Sequence, residues 1–511
     1  MVRFNRMSPV VEPSGAPSTA KRAGHRDWLW AAALAAFLAL SIGFSLTRAP
    51  WWDEGVFADV ALNFRNRGHL GSSVLDPHGY LEWPQVNYYT YWQFPLYLIV
   101  AGTWLHAVPP TVEWIRLLSV LCGCLYIYCW FALVRCLTRN QPLALFVASV
   151  VALDYATVAT ASDGRMDMMC AALGEAAMAI FVCLKGSNWT RAMFWAGCLG
   201  AASLFCHPMG ALMNASLAAL ALLEWRQIRW QGLLAASIPY LIGAALWLAY
   251  ISEAPQIFLA QTKAASGYRV GGLSSVIRNV ANDLYLRYGG FYFGNLSGIY
   301  KFKVASLVFA VVGTVALASN RRLRGQPLGR FLLISACIGY VGVAAIDNQK
   351  FPIYFIYSMP VMSACGALWV YNRWRNGGAA RLLPAALLAS SLLATIGGFA
   401  FKIYGNDYDH LYRPTIRAIR TGLPPGGLIM GGSELGFAFG FGPGLIDDRY
   451  LGYRTGKRPD VFVENEYYGR IGPAGRAADR VLGSQYHLTF ANSAYKVYVR
   501  NDVAHPESSG K

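Results

Sequence analysis

Apolar runs of roughly twenty residues, long enough to cross a bilayer, recur along this chain with short polar breaks between them. The first extends from Trp28 to Leu46 behind a polar, basic stretch and reads as an uncleaved anchor. The pattern predicts spans at 28–47, 114–135, 142–161, 166–185, 191–206, 208–224, 232–251, 303–319, 331–347, 352–371 and 382–403. One further run, "YYTYWQFPLYLIVAGTWLHAV" at 88–108, is dense in Tyr and Trp and contains Pro95. The basic loops decide its place. "RCLTRN", "KGSNWTR", "EWRQIRW", "SNRRLRGQPLGR" and "YNRWRNGGAAR" all fall on the side of the basic N-terminus only if 88–108 does not cross. Residues 88–108 are therefore expected to form an interfacial helix on the outer face. The expectation is about eleven spans, a cytoplasmic N-terminus and an extracytoplasmic C-terminus.

Three long segments fall outside: the loop 48–113, the loop 252–302 and the tail 404–511. The tail holds strand patterns, "DVFVEN" and the pair "YHLTF" and "YKVYVR" around "ANSA", and a Gly-rich turn in "PPGGLIMGGSELGF". The domain plan is a basic tail at 1–27, a transmembrane domain at 28–403 and a soluble domain at 404–511. The expected fold class is an all-α polytopic membrane protein with a small α+β extracytoplasmic C-terminal domain.

Composition agrees. Of 511 residues, 55% are hydrophobic and 14% charged, against roughly 25% charged in a soluble domain. The net charge of +17 is concentrated in the basic cytoplasmic loops, while Arg48, Lys263, Arg269, Lys301 and Lys303 fall on the predicted outer side as noise in long loops or as a basic surface for an anionic ligand; no nucleic acid partner is expected. The ten cysteines lie in apolar runs or at their ends, without metal spacing. They read as small buried hydrophobes rather than a disulfide frame.

Chemistry concentrates at the predicted outer face. "WWDEGVFADVALN" places Asp53 and Glu54 just past two tryptophans, at the head of an amphipathic stretch with Asp59 and Asn63 on its polar side. "ASDGRMDMM" sets Asp163, Arg165 and Asp167 in one turn. "FCHPMG" offers His207, as a helix-break residue or a site member, and "DNQKFPIYFIYSMP" offers Lys350 and Tyr354. Lys350 either snorkels or holds a phosphate. Glu82 precedes the interfacial run. A carboxylate could take a proton from an acceptor hydroxyl as it attacks an anomeric carbon. Lys350 or Arg165 would then stabilise a departing lipid phosphate. A transporter or flippase of an amphiphilic lipid, with an ion relay through Asp53, Asp167 and Lys350, is the alternative. A noncatalytic scaffold is a third.

These motifs resemble the membrane glycosyltransferases of the GT-C fold, in particular the protein O-mannosyltransferase and aminoarabinose transferase group, families 39 and 83. The resemblance covers about residues 28–403. "WWDEGVFADVALN" is similar to the family's acidic motif, "GRMDMM" to its second acidic motif and "QKFPIYFIYSMP" to its late Lys–Pro–Tyr motif. "LEWPQVNYYTYWQFPLYLIVAGTWLHA" occupies the place of its interfacial helix, although the usual adjacent prolines are here Pro84 and Pro95. In "CHPMG", His207 stands where relatives often carry a lysine. The resemblance implies Asp53 as catalytic base with Glu54 beside it. It implies that Asp167 and Arg165 shape the substrate site and that Lys350 contacts the phosphate of a polyprenyl-phosphate sugar donor. The acceptor would be a lipid, glycan or protein and the setting the inner or plasma membrane. No cofactor is expected, with room left for a divalent metal.

Overall fold

The computed structural model describes residues 20–79, 83–267, 273–294, 303–452, 455–465 and 485–502. Helices occupy every expected span. They begin with α1 (Ala20–Thr47), α2 (Trp52–Arg67), α3 (Pro95–Ala107), α4 (Val112–Thr138), α5 (Gln141–Ala152), α6 (Tyr155–Ala161), α7 (Met166–Leu184), α8 (Trp189–Cys206), α9 (Gly210–Leu222) and α10 (Trp230–Glu253). Further long helices follow at Val304–Ser319, Pro327–Ile346, Met359–Asn376 and Leu382–Gly405. Among the described residues six helices are long and apolar enough to cross a membrane, and α5 with α6, bent by 62°, makes a seventh. Expected spans beyond these fall on shorter helices, such as α9 with its 13 residues, or on Met359–Asn376, whose last turn carries Arg373 and Arg375. The protein is a multi-pass membrane protein of largely helical class.

Local chemistry sets the boundaries. Asn140, Asp154 and Asn188 cap α5, α6 and α8 by accepting from Leu143, Ala156 and Arg191 N–H groups at 2.9–3.1 Å. Pro95 and Pro327 open their helices at positions where no N–H is needed. Asp154 also explains the bend, because its carboxylate starts a new helix where α5 stops and accepts from Ser363 at 2.7 Å. Inside the bundle, Phe37, Trp130, Phe181, Phe309 and Phe331 are almost fully buried. The outer face of α10 instead exposes Trp230, Leu233, Leu241, Leu246 and Leu248, as a helix facing lipid does.

The expected interfacial helix is α3. At 13 residues it rises about 20 Å, less than the roughly 30 Å of a bilayer core. It packs against α2 and α8. The expected polar side of α2 is not in water. Asp59 and Asn63 are buried, where they accept from Ser72 and the Val74 N–H (3.1 Å) and donate to Gly71 O (2.8 Å). They clamp the following loop instead of facing headgroups.

The cysteine reading needs correction. Cys136 and Cys183, at the last turns of α4 and α7, form a disulfide across a Cα–Cα distance of 5.4 Å. Of the other eight, only Cys129, Cys170, Cys206 and Cys365 are buried.

The C-terminal part is a five-stranded sheet of β1 (Ile429–Met430), β2 (Leu445–Ile446), β3 (Val461–Asn465), β4 (Tyr486–Ala491) and β5 (Tyr495–Arg500), in the order β2-β1-β3-β5-β4. β1 pairs in parallel with β2 and β3, and β5 runs antiparallel to β3 and β4. The helix Arg413–Gly422 lays Ile416 and Ile419 against Val461, Val463, Val497 and Val499. The sheet docks on the loop that follows α2, with Leu75 bridged to Asp447 and Val74 inside the sheet's own core.

Candidate active site

Asp53 and Glu54 lie in the first turn of α2, where carboxylates favour a helix N-terminus. The two diverge. Glu54 is fully buried and takes the forked guanidinium of Arg116, with Nε to Oε1 at 2.7 Å and Nη2 to Oε2 at 2.6 Å. Arg48 (2.9 Å) and the Gly164 N–H (2.8 Å) also donate to Oε1, and the Trp51 N–H donates to Oε2 at 3.2 Å. Arg116 is itself anchored, donating to the Ser45, Arg48 and Ala49 carbonyls at the end of α1 at 2.6–3.2 Å. Gly164 allows the close approach: a Cβ there would lie 2.8 Å from Ile115 Cγ2 and 3.3 Å from Glu54 Oε1, so a side chain would press on the carboxylate.

Asp53 turns the other way. Its side chain is 20% exposed and pairs with Arg165. Arg165 donates to Asp167 Oδ2 at 2.9 Å and lies over the Trp51 and Phe57 rings at 5.2 and 5.5 Å. Asp167 Oδ1 is buried without a partner. Asp163 accepts from Arg48 at 3.1 Å and from the Trp51 indole at 2.8 Å. Four acids thus meet three guanidiniums, leaving one surplus negative charge. Burial and the neighbouring Glu54 charge push the Asp163 carboxyl up. Burial also works against ionisation of Glu54, but Arg116, Arg48 and the Gly164 N–H outweigh it and hold Glu54 below the usual carboxylate range. The surplus therefore falls on Asp163, which keeps a proton more readily.

From this turn, contacts lead into the bundle. Tyr357 O–H reaches the Asp167 carbonyl at 3.5 Å, and the His207 ring stacks near Tyr354 and Tyr357 at 5.7 and 6.5 Å. His207 and Tyr354 line a cavity of about 290 Å³ together with Trp92, Gln93 and Asp347. Trp92 stacks on Phe57, the ring beneath Arg165.

Lys350 joins neither the acid turn nor the lining of this cavity; it sits behind Asp347, in a buried cluster of its own. Its Nζ pairs with Asp283 at 3.0 Å and donates to the Ala344 and Asn279 carbonyls at 2.9 and 3.4 Å. Arg287 completes the cluster on Asp283 (3.1 Å) and Asp347 (2.9 Å). Lys350 is neither snorkelling nor an open point charge here. Its backbone sits in the left-handed region at φ 59°.

A larger apolar cavity of about 780 Å³ lies between α3, α8 and α10, lined by Leu96, Ile99, Phe205, Ile242 and Leu246, with His69, Tyr88 and Glu253 among its few polar groups. The C-terminal sheet reaches the acid turn as well. Asp447 accepts from the Trp52 indole and from the Ser433 hydroxyl (2.6 Å), and Arg449 lies 4.2 Å from the Trp52 ring. A Cβ on Gly55 would collide with the Ser433 carbonyl carbon at 2.3 Å. Glu82 lies outside the described residues.

Sequence reasoning missed Arg116, Asp283, Arg287 and Gln93 and did not assign Arg48 to the acid turn. Arg116 carried a signal, as an arginine within an apolar span; Gln93 had none.

Among the described residues no three His, Cys, Asp or Glu side chains gather as a metal site. Glu54, Asp53 and one oxygen of Asp167 are held by guanidinium groups, so this donor set does not fit a divalent ion.

This arrangement of helical spans, acid turn and docked C-terminal sheet shares its fold with solved membrane proteins of the GT-C class. ArnT from Cupriavidus metallidurans bound to undecaprenyl phosphate superimposes with a TM-score of 0.60 at 13% identity, over 95% of this chain and 100% of that one. The oligosaccharyltransferase from Archaeoglobus fulgidus in complex with Zn and sulfate gives 0.58 at 12% identity, over 92% and 73%. The same organism's AglB, in complex with an inhibitory peptide and a dolichol-phosphate, gives 0.55 at 11%, over 96% and 76%. No protein-family model and no curated protein sequence matches the chain.

Proposed function

We propose that this chain is an inverting glycosyltransferase of the inner or plasma membrane. It would move a sugar from a polyprenyl-phosphate carrier to a lipid, glycan or protein acceptor at the outer face. In this reading the N-terminus is cytoplasmic, the C-terminal domain extracytoplasmic and the basic loops cytoplasmic. One observation carries the reading. Of the four carboxylates at the turn, Asp53 is the one left accessible, 20% exposed against 5% or less for the other three. It stands at the start of a contact path that ends in a cavity. The shared fold with a protein solved with undecaprenyl phosphate supports a donor of that chemical kind.

Asp53 takes the proton of the acceptor hydroxyl as its oxygen attacks the anomeric carbon. The bond from that carbon to the phosphate oxygen breaks, and its electron pair leaves with the phosphate. One displacement inverts the centre. Arg165 orients Asp53 and Asp167. Lys350, exchanging Asp283 for the phosphate, neutralises the leaving group. The 780 Å³ cavity suits the polyprenyl tail. The relay of a transporter would need intramembrane ionisable groups, and among the described residues two buried carboxylates stand at such depth: Glu175 within α7, one of whose oxygens has no partner, and Asp154 at the break between α5 and α6. The Asp154 carboxylate is already engaged by Ala156 N–H and the Ser363 hydroxyl.

Liposomes holding the purified chain and polyprenyl-phosphate sugars test the reading. Release of polyprenyl phosphate matched one-to-one by an acceptor glycoside of opposite anomeric configuration is the expected result. Net movement of intact lipid-linked sugar between leaflets, without cleavage, would establish the transporter instead. Lys350→Ala is expected to weaken polyprenyl phosphate binding by roughly tenfold or more, the worth of a charged hydrogen bond. Unchanged affinity in Lys350→Ala, measured by lipid-binding titration, would reduce Lys350 to a staple on its own loop.

A further inference from the structure

The 290 Å³ cavity carries more information than its place beside Asp347. It lies near the lower end of the roughly 300–1,000 Å³ typical of small-ligand sites, room for one sugar ring and not for an oligosaccharide. Tyr91, Trp92, Phe94, Trp247, Phe258 and Tyr354 supply aromatic walls, surfaces that suit the C–H faces of a sugar. Gln93 is the exception among them. It is 3% exposed, it lines the cavity, and neither its Oε1 nor its Nε2 has a hydrogen-bond partner. The Trp92 Nε1–H, on the same wall, also lacks an acceptor. A buried amide with both ends unmade is costly. The fold keeps this one where a ligand would complete it.

We propose that this cavity is the subsite for one uncharged sugar ring and that Gln93 reads two neighbouring hydroxyls of that ring. The amide offers one acceptor and two donors in a plane, which matches a vicinal diol: Oε1 accepts from one hydroxyl while Nε2 donates to the other. Charge selects the class. Asp347 is the acid on the wall, and it is already satisfied by Arg287 (2.9 Å) and by the Phe351 and Gln349 N–H groups (2.9 and 3.0 Å). An ammonium on an amino sugar would find its counter-charge spent. A uronate would likewise find the neighbouring Arg287 already taken up by Asp283 and Asp347. A neutral hexose or pentose meets neither obstacle. The proposal rests on the glycosyl-transfer reading and deepens it by naming the class of sugar.

Gln93→Leu is the discriminating variant. The side chain bonds to nothing in the protein, so the apolar replacement takes no partner from the fold and its thermal midpoint should stay level or rise. Equilibrium dialysis of radiolabelled methyl glycosides against the full chain in detergent reads the subsite without any lipid. Neutral methyl glycosides should bind the wild type and lose at least about tenfold in Gln93→Leu, two hydrogen bonds' worth. Gln93→Asn, which keeps the amide on a shorter arm, should fall between. Polyprenyl phosphate without sugar should bind both proteins alike. Equal glycoside affinity in wild type and Gln93→Leu, or no glycoside binding to the wild type, overturns the subsite. Tighter binding of an amino glycoside or a uronate than of every neutral sugar overturns the uncharged class. If glycosides bind through Gln93 but no polyprenyl-phosphate sugar is cleaved in liposomes, the subsite stands and the transferase reading falls.

Discussion

Asp53→Asn is expected to lower sugar transfer from a polyprenyl-phosphate donor by roughly 10²–10⁴-fold, the contribution of a positioned general base. The substitution keeps size and shape and removes the ability to take a proton. Arg165 loses one ionic partner but keeps Asp167 at 2.9 Å and its seat over Trp51 and Phe57. The fold should therefore survive, with a thermal midpoint close to wild type. Donor binding should also persist, since no part of the tail cavity includes residue 53. The loss belongs in kcat, with KM for the donor little changed. The check is initial-rate kinetics in liposomes, with lipid binding measured in parallel. Turnover within a few-fold of wild type would pass the role to another group, and Asp167, with one buried oxygen unpartnered, would be the next to test.

The spans were legible because length and apolarity are local properties, and each expected run falls on a helix. Strands β3, β4 and β5 were legible for the same reason, through their alternation. β1 and β2 were not, since two residues each leave no pattern and exist only through pairing with β3 and with each other. The acid turn was half legible. "DE" and "SDGRMD" announced charge at a membrane edge, but nothing local tells Asp53 from Glu54. That difference is made by Arg116, 62 residues away, and by Gly164, 110 residues away. Lys350 shows the same limit. Its sequence context suits an open phosphate ligand, while Asp283, on a helix far away in the sequence, takes up its charge. Gln93 sat inside an aromatic run that reads as membrane-interface packing, and its unmade hydrogen bonds exist only in three dimensions.

Glu54→Gln is expected to destabilise the protein by about 3–5 kcal/mol, the usual cost of removing one partner from a buried ion pair. The effect comes from Arg116. That guanidinium is fully buried, and without Glu54 it keeps only carbonyls as partners. Arg48 is less affected because Asp163 remains at 3.1 Å. Removing the Glu54 charge also removes one of the forces that push Asp163 up, so Asp163 should ionise more readily and recover part of the lost pairing. The pH dependence carries the sign. Glu54 is held below the usual range in the folded state. Its contribution is therefore complete above about pH 4.3, the unfolded value. It is lost as pH falls through the lower folded value. Asp163 acts oppositely, costing stability as pH rises from about 3.9 toward its raised value. Thermal midpoints in detergent from neutral to acid pH should thus show a large neutral-pH gap between wild type and Glu54→Gln that narrows on acidification. Pairing Glu54→Gln with Arg116→Met should restore much of the neutral-pH loss, because the stranded charge is gone. A Gln variant as stable as wild type at neutral pH would mean that Glu54 does not hold the turn. The division of labour between the two adjacent acids would then have to be drawn again.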